Sequence, residues 1–429
     1  MLFSRENKQI HKNTSPKKKL KSTKSIQIFI AICWIAYFST YLGRLNYQAS
    51  MNEIIRTGFL TKADAGMVGT GFFFCYGFGQ LISGSLGDKI SSKKLVFLGI
   101  MLSAVINMLM FLAINSKVMF ILWCVNGLAQ SLTWSPLIKI LSDRLTQKKC
   151  KEACIFLTTT VATGTLATYL LSAFIIKISN WRSIFILSFL VLGFVSVVWF
   201  ITIGKIEKEA EIEGYIETDE EMKQARNIST IEAKPIKLWR FIVTAGLLPI
   251  LVCVIIQGIL KDGVTAWVPT FISELFHLGS VTSILITTLL PIVNLAGVYA
   301  TNYVNNHFLQ SEVKTSGYCF AITTFALFCL ILFGKYSILI AIPLLALITT
   351  GMIGVNTMFI SLLPLNFIRT GKVSTITGIL NFSVYMGSAV SSFGIGIISQ
   401  QYGWGITMLI WFMLAFIGAV ICFIIRNWR

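Results

Sequence analysis

Apolar residues run along this chain in long blocks separated by short polar interruptions, near positions 26–48, 65–87, 95–115, 118–141, 153–177, 182–204, 244–272, 281–304, 316–334, 337–363, 374–399 and 405–426. About 20 mainly apolar residues are needed for a helix to cross the hydrocarbon of a bilayer. The pattern therefore predicts twelve transmembrane helices and no sheet. The one long polar stretch, Lys205 to Lys237, mixes Glu207, Glu209, Glu211, Glu213, Glu217, Asp219, Glu220 and Glu221 with Lys223, Arg226 and Lys234. It divides the spans into two sets of six, with a basic tail over 1–25, one half over 26–204, a linker over 205–238 and a second half over 239–429.

Composition agrees with a membrane origin, since 55% of the 429 residues are hydrophobic and only 13% charged. A soluble protein is excluded on that balance. The net charge of +18 would in a soluble chain raise nucleic-acid binding. Here the Lys and Arg lie in short clusters between apolar blocks, so they read as topology signals and not as a nucleic-acid surface. One side of the membrane collects the tail (Lys8, Lys12, Lys17, Lys18, Lys19, Lys21 and Lys24), Lys89 with Lys93 and Lys94, Arg144 with Lys148, Lys149 and Lys151, Lys314, Arg369 with Lys372, and Arg426 with Arg429. The other side has mainly Arg56, Lys62, Lys117, Lys177, Arg182 and Lys335. Excess positive charge marks the cytoplasmic face, so both termini are expected there, in a multi-pass protein of the cell's inner (plasma) membrane. The first apolar run is too long for a cleaved signal and has no small-residue cleavage site after it. The tail reads as a retained cytoplasmic arm.

The two halves echo each other. Gly164 stands seventeen residues before Trp181 and Gly387 seventeen before Trp404, each across a span, turn, span arrangement. Such a repeat predicts duplication about an axis along the membrane normal, with a substrate cavity between the halves. The nine cysteines show no paired extracellular spacing, so no disulfide is expected. Cys150 and Cys154 lack further ligands for a metal, and His11, His277 and His307 are scattered. No nucleophile stands beside a base, so neither an enzyme nor a cofactor site is indicated.

Four segments carry chemistry. Arg44, within Tyr37-Phe38-Ser39-Thr40-Tyr41-Leu42-Gly43-Arg44, is a cation inside the first span, and such residues cost several kcal/mol unless they face a partner or a wet cavity. A guanidinium grips phosphate or carboxylate bidentately. Lys261 occupies the first span of the second half as Arg44 does that of the first; two cations facing across the repeat would match a dianion such as a phosphate monoester. Adjacent Asp262 would neutralise Lys261, but neighbouring helix positions point in different directions. In the fourth span Gln130 and Trp134 lie one turn apart on one face, and Pro136 frees a backbone carbonyl where the helix can bend, a device suited to gating. Between spans two and three, Gly84-Ser85-Leu86-Gly87-Asp88-Lys89-Ile90-Ser91-Ser92-Lys93-Lys94 joins glycines that permit close helix approach to Asp88 and a set of cations at the cytoplasmic gate.

That loop resembles the signature of the major facilitator superfamily. Arg44 with its tyrosines, Tyr76-Gly77-Phe78 ahead of the loop, the glycine, glutamine, tryptophan and proline of span four, and Trp267-Val268-Pro269-Thr270 after Lys261 together resemble the organophosphate:phosphate antiporters, including glycerol-3-phosphate and hexose-phosphate transporters. The resemblance runs in order from about residue 30 to 420. It implies the major facilitator fold, all-α with two six-helix halves, and exchange of an organic phosphate for inorganic phosphate by rocker-switch alternating access, by a monomer. It also implies that Arg44 is the first substrate cation, that Lys261 takes the place of the second, and that Tyr37, Tyr41, Tyr76 and Tyr385 line the cavity beside Gln80, Gln130 and Trp134. Three departures matter. Lys261 keeps the charge of the second cation but loses the planar fork, so oxyanion binding survives with less geometric selectivity. Gln80 stands where the glycerol-phosphate branch has a lysine, and Thr158, Thr159, Thr160 and Thr163 occupy the stretch where that branch has a histidine. A less charged anion, a sugar phosphate or a carboxylate therefore stays open, as do proton symport through Asp262 and a sensor that keeps the transporter fold.

Overall fold

The structure is a computed structural model that describes residues 18–215, 246–370 and 373–427, with the side chains of 84–89, 147, 151, 155, 365, 368–370 and 373–375 outside the description. Twelve helices are long and apolar enough to cross a membrane. They are α1 (Thr23–Arg56), α2 (Lys62–Ser83), α3 (Ser92–Phe111), α4 (Ser116–Arg144), α5 (Lys148–Ile178), α6 (Ser183–Glu213), α7 (Leu248–Leu275), α8 (Ser280–Leu309), α9 (Glu312–Phe333), α10 (Ile338–Leu362), α11 (Ile376–Gln401) and α12 (Gly403–Ile424). Each predicted block falls on one of them. The chain is a multi-pass membrane protein built as two six-helix halves, and among the described residues no strand is formed beyond a single bridge between Lys19 and Tyr215.

Helix ends reach past the apolar blocks where polar residues are good helix formers. The sixth helix continues through Lys205-Ile206-Glu207-Lys208-Glu209-Ala210 to Glu213, so the first residues of the expected linker are helical. The second helix continues to Lys89, which places the backbone of the Gly84–Lys89 loop motif on its last turns. The fourth span breaks at Leu132–Thr133 into Ser116–Ser131 and Trp134–Arg144. Leu132 lies four residues before Pro136, so the proline ring meets its carbonyl and the helix yields there.

Within each half the fifth span packs against the first through a glycine. A Cβ on Gly164 would come within 2.8 Å of Tyr41 on α1, and one on Gly387 would collide with the Ile255 carbonyl oxygen on α7. The residues seventeen positions on, Trp181 just before α6 and Trp404 in the first turn of α12, pack on Phe59 and on Phe271 respectively. The sequence repeat is thus a structural one. Between the halves α2 runs along α11, α5 meets α8 and α1 meets α7. At the terminus-bearing end, Lys19 and Leu20, just before α1, are tied to their own half. Lys19 and Tyr215 exchange two backbone hydrogen bonds at 2.8 and 3.2 Å, and the Leu20 amide donates to the Arg144 carbonyl at 2.9 Å.

Candidate functional site

Arg44 lies twelve residues before the end of α1, and Lys261 fourteen before the end of α7. At 1.5 Å per residue both stand roughly 20 Å inside, at a common depth. The repeat therefore brings the two predicted cations to corresponding levels of the two halves.

Around Arg44 the structure assembles aromatic rings from both halves. Its Cζ lies 4.0 Å from the Tyr41 ring centroid, 5.9 Å from Tyr37 and 6.0 Å from Tyr76. Tyr37 and Tyr41 meet edge to face at 5.6 Å, and Tyr37 also packs on Trp134 at 4.6 Å. Across the boundary between halves, Tyr76 of α2 meets Tyr385 of α11 at 4.8 Å. Cation–π contact stabilises a guanidinium withdrawn from water, by about 2 kcal/mol when desolvated. It does so through the faces, and the in-plane N–H fork keeps its capacity for an anion. Among the described residues no carboxylate lies within 4 Å of Arg44.

The backbone carrying Arg44 is held by a polar network at membrane depth. Asn126 Nδ2 and Asn107 Nδ2 donate to the Gly43 carbonyl at 2.8 and 3.2 Å, and Ser188 Oγ donates to that of Leu42 at 2.9 Å. Gln130 Nε2 donates to the Thr40 carbonyl at 3.1 Å and to Ser103 Oγ at 2.9 Å. Asn46 Nδ2 adds bonds to Asn107 Oδ1 at 2.6 Å and Ser188 Oγ at 2.8 Å. Gln130 is almost fully buried, at 1% exposure, so its place is behind α1, bracing the helix. Gln80 is half-buried on α2, one turn beyond Tyr76. Pro136 is buried. Lys93 sits over Phe200 at 4.3 Å, Lys94 is exposed, and the side chains of Gly84, Asp88 and Lys89 lie outside the described residues.

Lys261 differs from Arg44. Its Nζ lies 3.2 Å from Asp262 Oδ1, with the two side chains 21% and 20% exposed. Ser388 of α11 donates to Asp262 Oδ2 at 2.6 Å. Neighbouring Cβ vectors do diverge on a helix, but the four-carbon stem of lysine is long enough to fold back onto the adjacent carboxylate. A second buried acid, Glu53, lies near the end of α1, where Arg56 donates to both of its oxygens at 2.8 and 2.9 Å.

Sequence reasoning did not single out the contact that joins the halves at the end away from the termini. Lys62 of α2 pairs with Glu274 of α7 at 2.6 Å, and Trp404 Nε1 donates to the same carboxylate oxygen at 2.8 Å. The Ala63 amide donates to Gln400 Oε1 at 3.0 Å beside it. Lys62 and Glu274 both border loops of ordinary polarity, so only the packing of the halves shows that they meet. The asparagine network did carry a sequence signal: Asn46, Asn107 and Asn126 each stand inside an apolar block.

A profile of the Major Facilitator Superfamily matches residues 33–392, a stretch that holds Arg44, Lys261 and the rings around them, Tyr385 included. The chain belongs to the Major Facilitator Superfamily. It is 22% identical over 402 residues to the glycerol-3-phosphate transporter of Bacillus subtilis (strain 168), covering 90% of this chain and 89% of that protein. It is 27% identical over 176 residues to a probable hexose phosphate transport protein of Chlamydia pneumoniae, covering 41% of this chain and 38% of that protein. The second match thus spans well under half of that relative. Among solved structures the fold matches a bacterial homologue of the human lysosomal transporter Spinster in an inward-facing, occupied conformation, with a TM-score of 0.75, 12% identity, and coverage of 95% of this chain and 98% of that one. The resemblance to organophosphate transporters read from the motifs is therefore met by one relative of that kind across nearly the whole chain and by another over less than half of it.

Proposed function

We propose that this protein is a secondary transporter that exchanges an organic phosphate ester, of the glycerol-3-phosphate or sugar-phosphate class, for inorganic phosphate by rocker-switch alternating access. The observation that carries the reading is Arg44: a permanent cation inside a membrane span, ringed by Tyr37, Tyr41 and Tyr76, with no carboxylate partner among the described residues. A buried charge left unpaired is costly, and a cation at membrane depth is retained where a ligand completes it. An oxyanion bound to the N–H fork would complete this one. The anion would lie between the halves 26–204 and 239–429, which rock against each other. An empty site leaves Arg44 uncompensated, so return of the unloaded carrier is slow and exchange is favoured over net flux. The assignment places the protein in the inner (plasma) membrane as a monomer with both termini in the cytoplasm.

Reconstituted vesicles test the reading. Labelled inorganic phosphate trapped inside should leave when glycerol-3-phosphate or a hexose phosphate is added outside, and Arg44→Ala should abolish that counterflow. Unimpaired counterflow in Arg44→Ala removes the assignment. Uptake driven by a pH gradient without internal anion identifies a proton-coupled organic anion symporter, and ligand binding without flux identifies a sensor.

A further inference from the structure

The two cations of the site are not electrically alike. Arg44 has no acidic partner among the described residues, whereas Lys261 Nζ rests 3.2 Å from Asp262 Oδ1 and the other oxygen, Oδ2, accepts from Ser388 Oγ at 2.6 Å. Both oxygens of Asp262 are therefore used as acceptors, the arrangement of an ionised carboxylate. Ser388 is fully buried, and its hydroxyl stands 3.0 Å from the Val384 carbonyl and 3.4 Å from that of Gly258. The serine is thereby held between α7 and α11, about one turn along α11 from Tyr385. The Tyr385 ring meets that of Tyr76 at 4.8 Å, and the Tyr76 centroid lies 6.0 Å from Arg44 Cζ, so the Lys261–Asp262 pair adjoins the rings around Arg44 and the three charges share one neighbourhood. Two cations less one anion leave it a single net positive charge.

We propose that Asp262 sets the charge selectivity of the site by masking Lys261, so that the carrier takes its anion in the singly charged form. This rests on the transport function proposed above and narrows it. A phosphate monoester loses its second proton near pH 6, so both charge forms are present near neutrality and the site chooses between them. With Asp262 in place, a dianion brings a second negative charge against a carboxylate. With Asp262 neutralised, Lys261 is released and a dianion is matched by two cations. A unit charge acting over several ångströms at an effective dielectric constant near 20 changes relative affinity by about tenfold or more.

The test uses two anions of similar geometry and pH-independent charge, methyl sulfate (one negative charge) and sulfate (two), as stabilisers of the purified full-length protein against thermal unfolding in detergent. The wild type should be half-stabilised at a lower concentration of methyl sulfate than of sulfate. Asp262→Asn should move that ratio about tenfold or more toward sulfate. The double variant Lys261→Met with Asp262→Asn again has one net charge and should return to the wild-type ratio, and its unfolding midpoint reports whether the variants fold. An unchanged ratio in Asp262→Asn, with stabilisation still lost in Arg44→Ala, overturns the proposal and leaves the transport reading standing. If neither anion stabilises the wild type and phosphate counterflow is absent, the transport reading fails and the charge assignment falls with it.

Discussion

At the scale of single residues, the strongest expectation concerns the shape of the cation. Lysine in place of Arg44 keeps the charge but loses the planar fork and the stacking on Tyr41 at 4.0 Å. Arg44→Lys should therefore lower kcat/KM for exchange by at least tenfold, about 1.4 kcal/mol of lost transition-state stabilisation, as read by initial rates in vesicles. A second expectation follows from Gly164, whose Cβ would stand 2.8 Å from the Tyr41 side chain. Gly164→Val should push Tyr41 away from Arg44 and impair exchange, and Gly193→Val, where a Cβ meets nothing within 4 Å, provides the comparison that should not. Arg44 was readable in the sequence because a guanidinium in an apolar block is costly unless a ligand or a wet cavity receives it. The pairing of Lys261 was not, because it depends on the rotamer of a flexible side chain and on a serine 126 residues beyond Asp262 in the chain.

Among the elements, the first span is the one the rest of its half is built to hold. Carbonyl oxygens of Thr40, Leu42 and Gly43 accept from Gln130, Ser188, Asn107 and Asn126 of three other spans. Interhelical hydrogen bonds in a bilayer contribute roughly 0.6 kcal/mol each on average. Asn126→Leu removes the bond to Gly43 and leaves Ser103 Oγ without its acceptor at 2.7 Å, so it should cost about 1–2 kcal/mol, visible as a lower thermal midpoint in detergent. A substrate-contact role alone for this network predicts no such loss. The break in α4 gives a different expectation. Pro136→Ala restores the donor that lets the helix run straight through Leu132, so it should lower the maximal exchange rate while leaving the half-saturating concentration nearly unchanged. The twelve spans and the bend at Pro136 were readable because apolar block length and proline act locally. The extension of α6 to Glu213 lay outside the hydrophobic signal, since helix propensity continues where hydropathy stops.

For the whole molecule, the decisive feature is how the two halves are joined. The repeat of Gly164 with Trp181 and Gly387 with Trp404 foretold two equivalent bundles but nothing of their contact, because inter-half pairs such as Lys62 with Glu274 are far apart in sequence and each residue looks like an ordinary loop charge. That contact holds one arrangement of the halves. The Glu274 carboxylate is shared by Lys62 at 2.6 Å and the Trp404 indole N–H at 2.8 Å, and Lys62 also lies 5.3 Å from the Trp404 ring. If the halves rock, this cluster must open each time the cavity turns to the side away from the termini. Glu274→Gln removes the charge while keeping an acceptor for Trp404, and so should weaken the arrangement by about 1 kcal/mol, enough to shift a two-state population severalfold. The measurement is the rate at which a membrane-impermeant thiol reagent, added on the side away from the termini, modifies a single cysteine introduced at Tyr385 in a background free of the native cysteines. The rate should rise severalfold in Glu274→Gln and stay at the parent level in a charge-reversed pair, Lys62→Glu with Glu274→Lys. An unaltered rate in Glu274→Gln would mean that the halves are held together without this cluster, by helix packing such as that of α2 on α11 with its polar ties from Thr70 Oγ1 to the Ala389 carbonyl at 2.7 Å and from the Ala63 amide to Gln400 Oε1 at 3.0 Å.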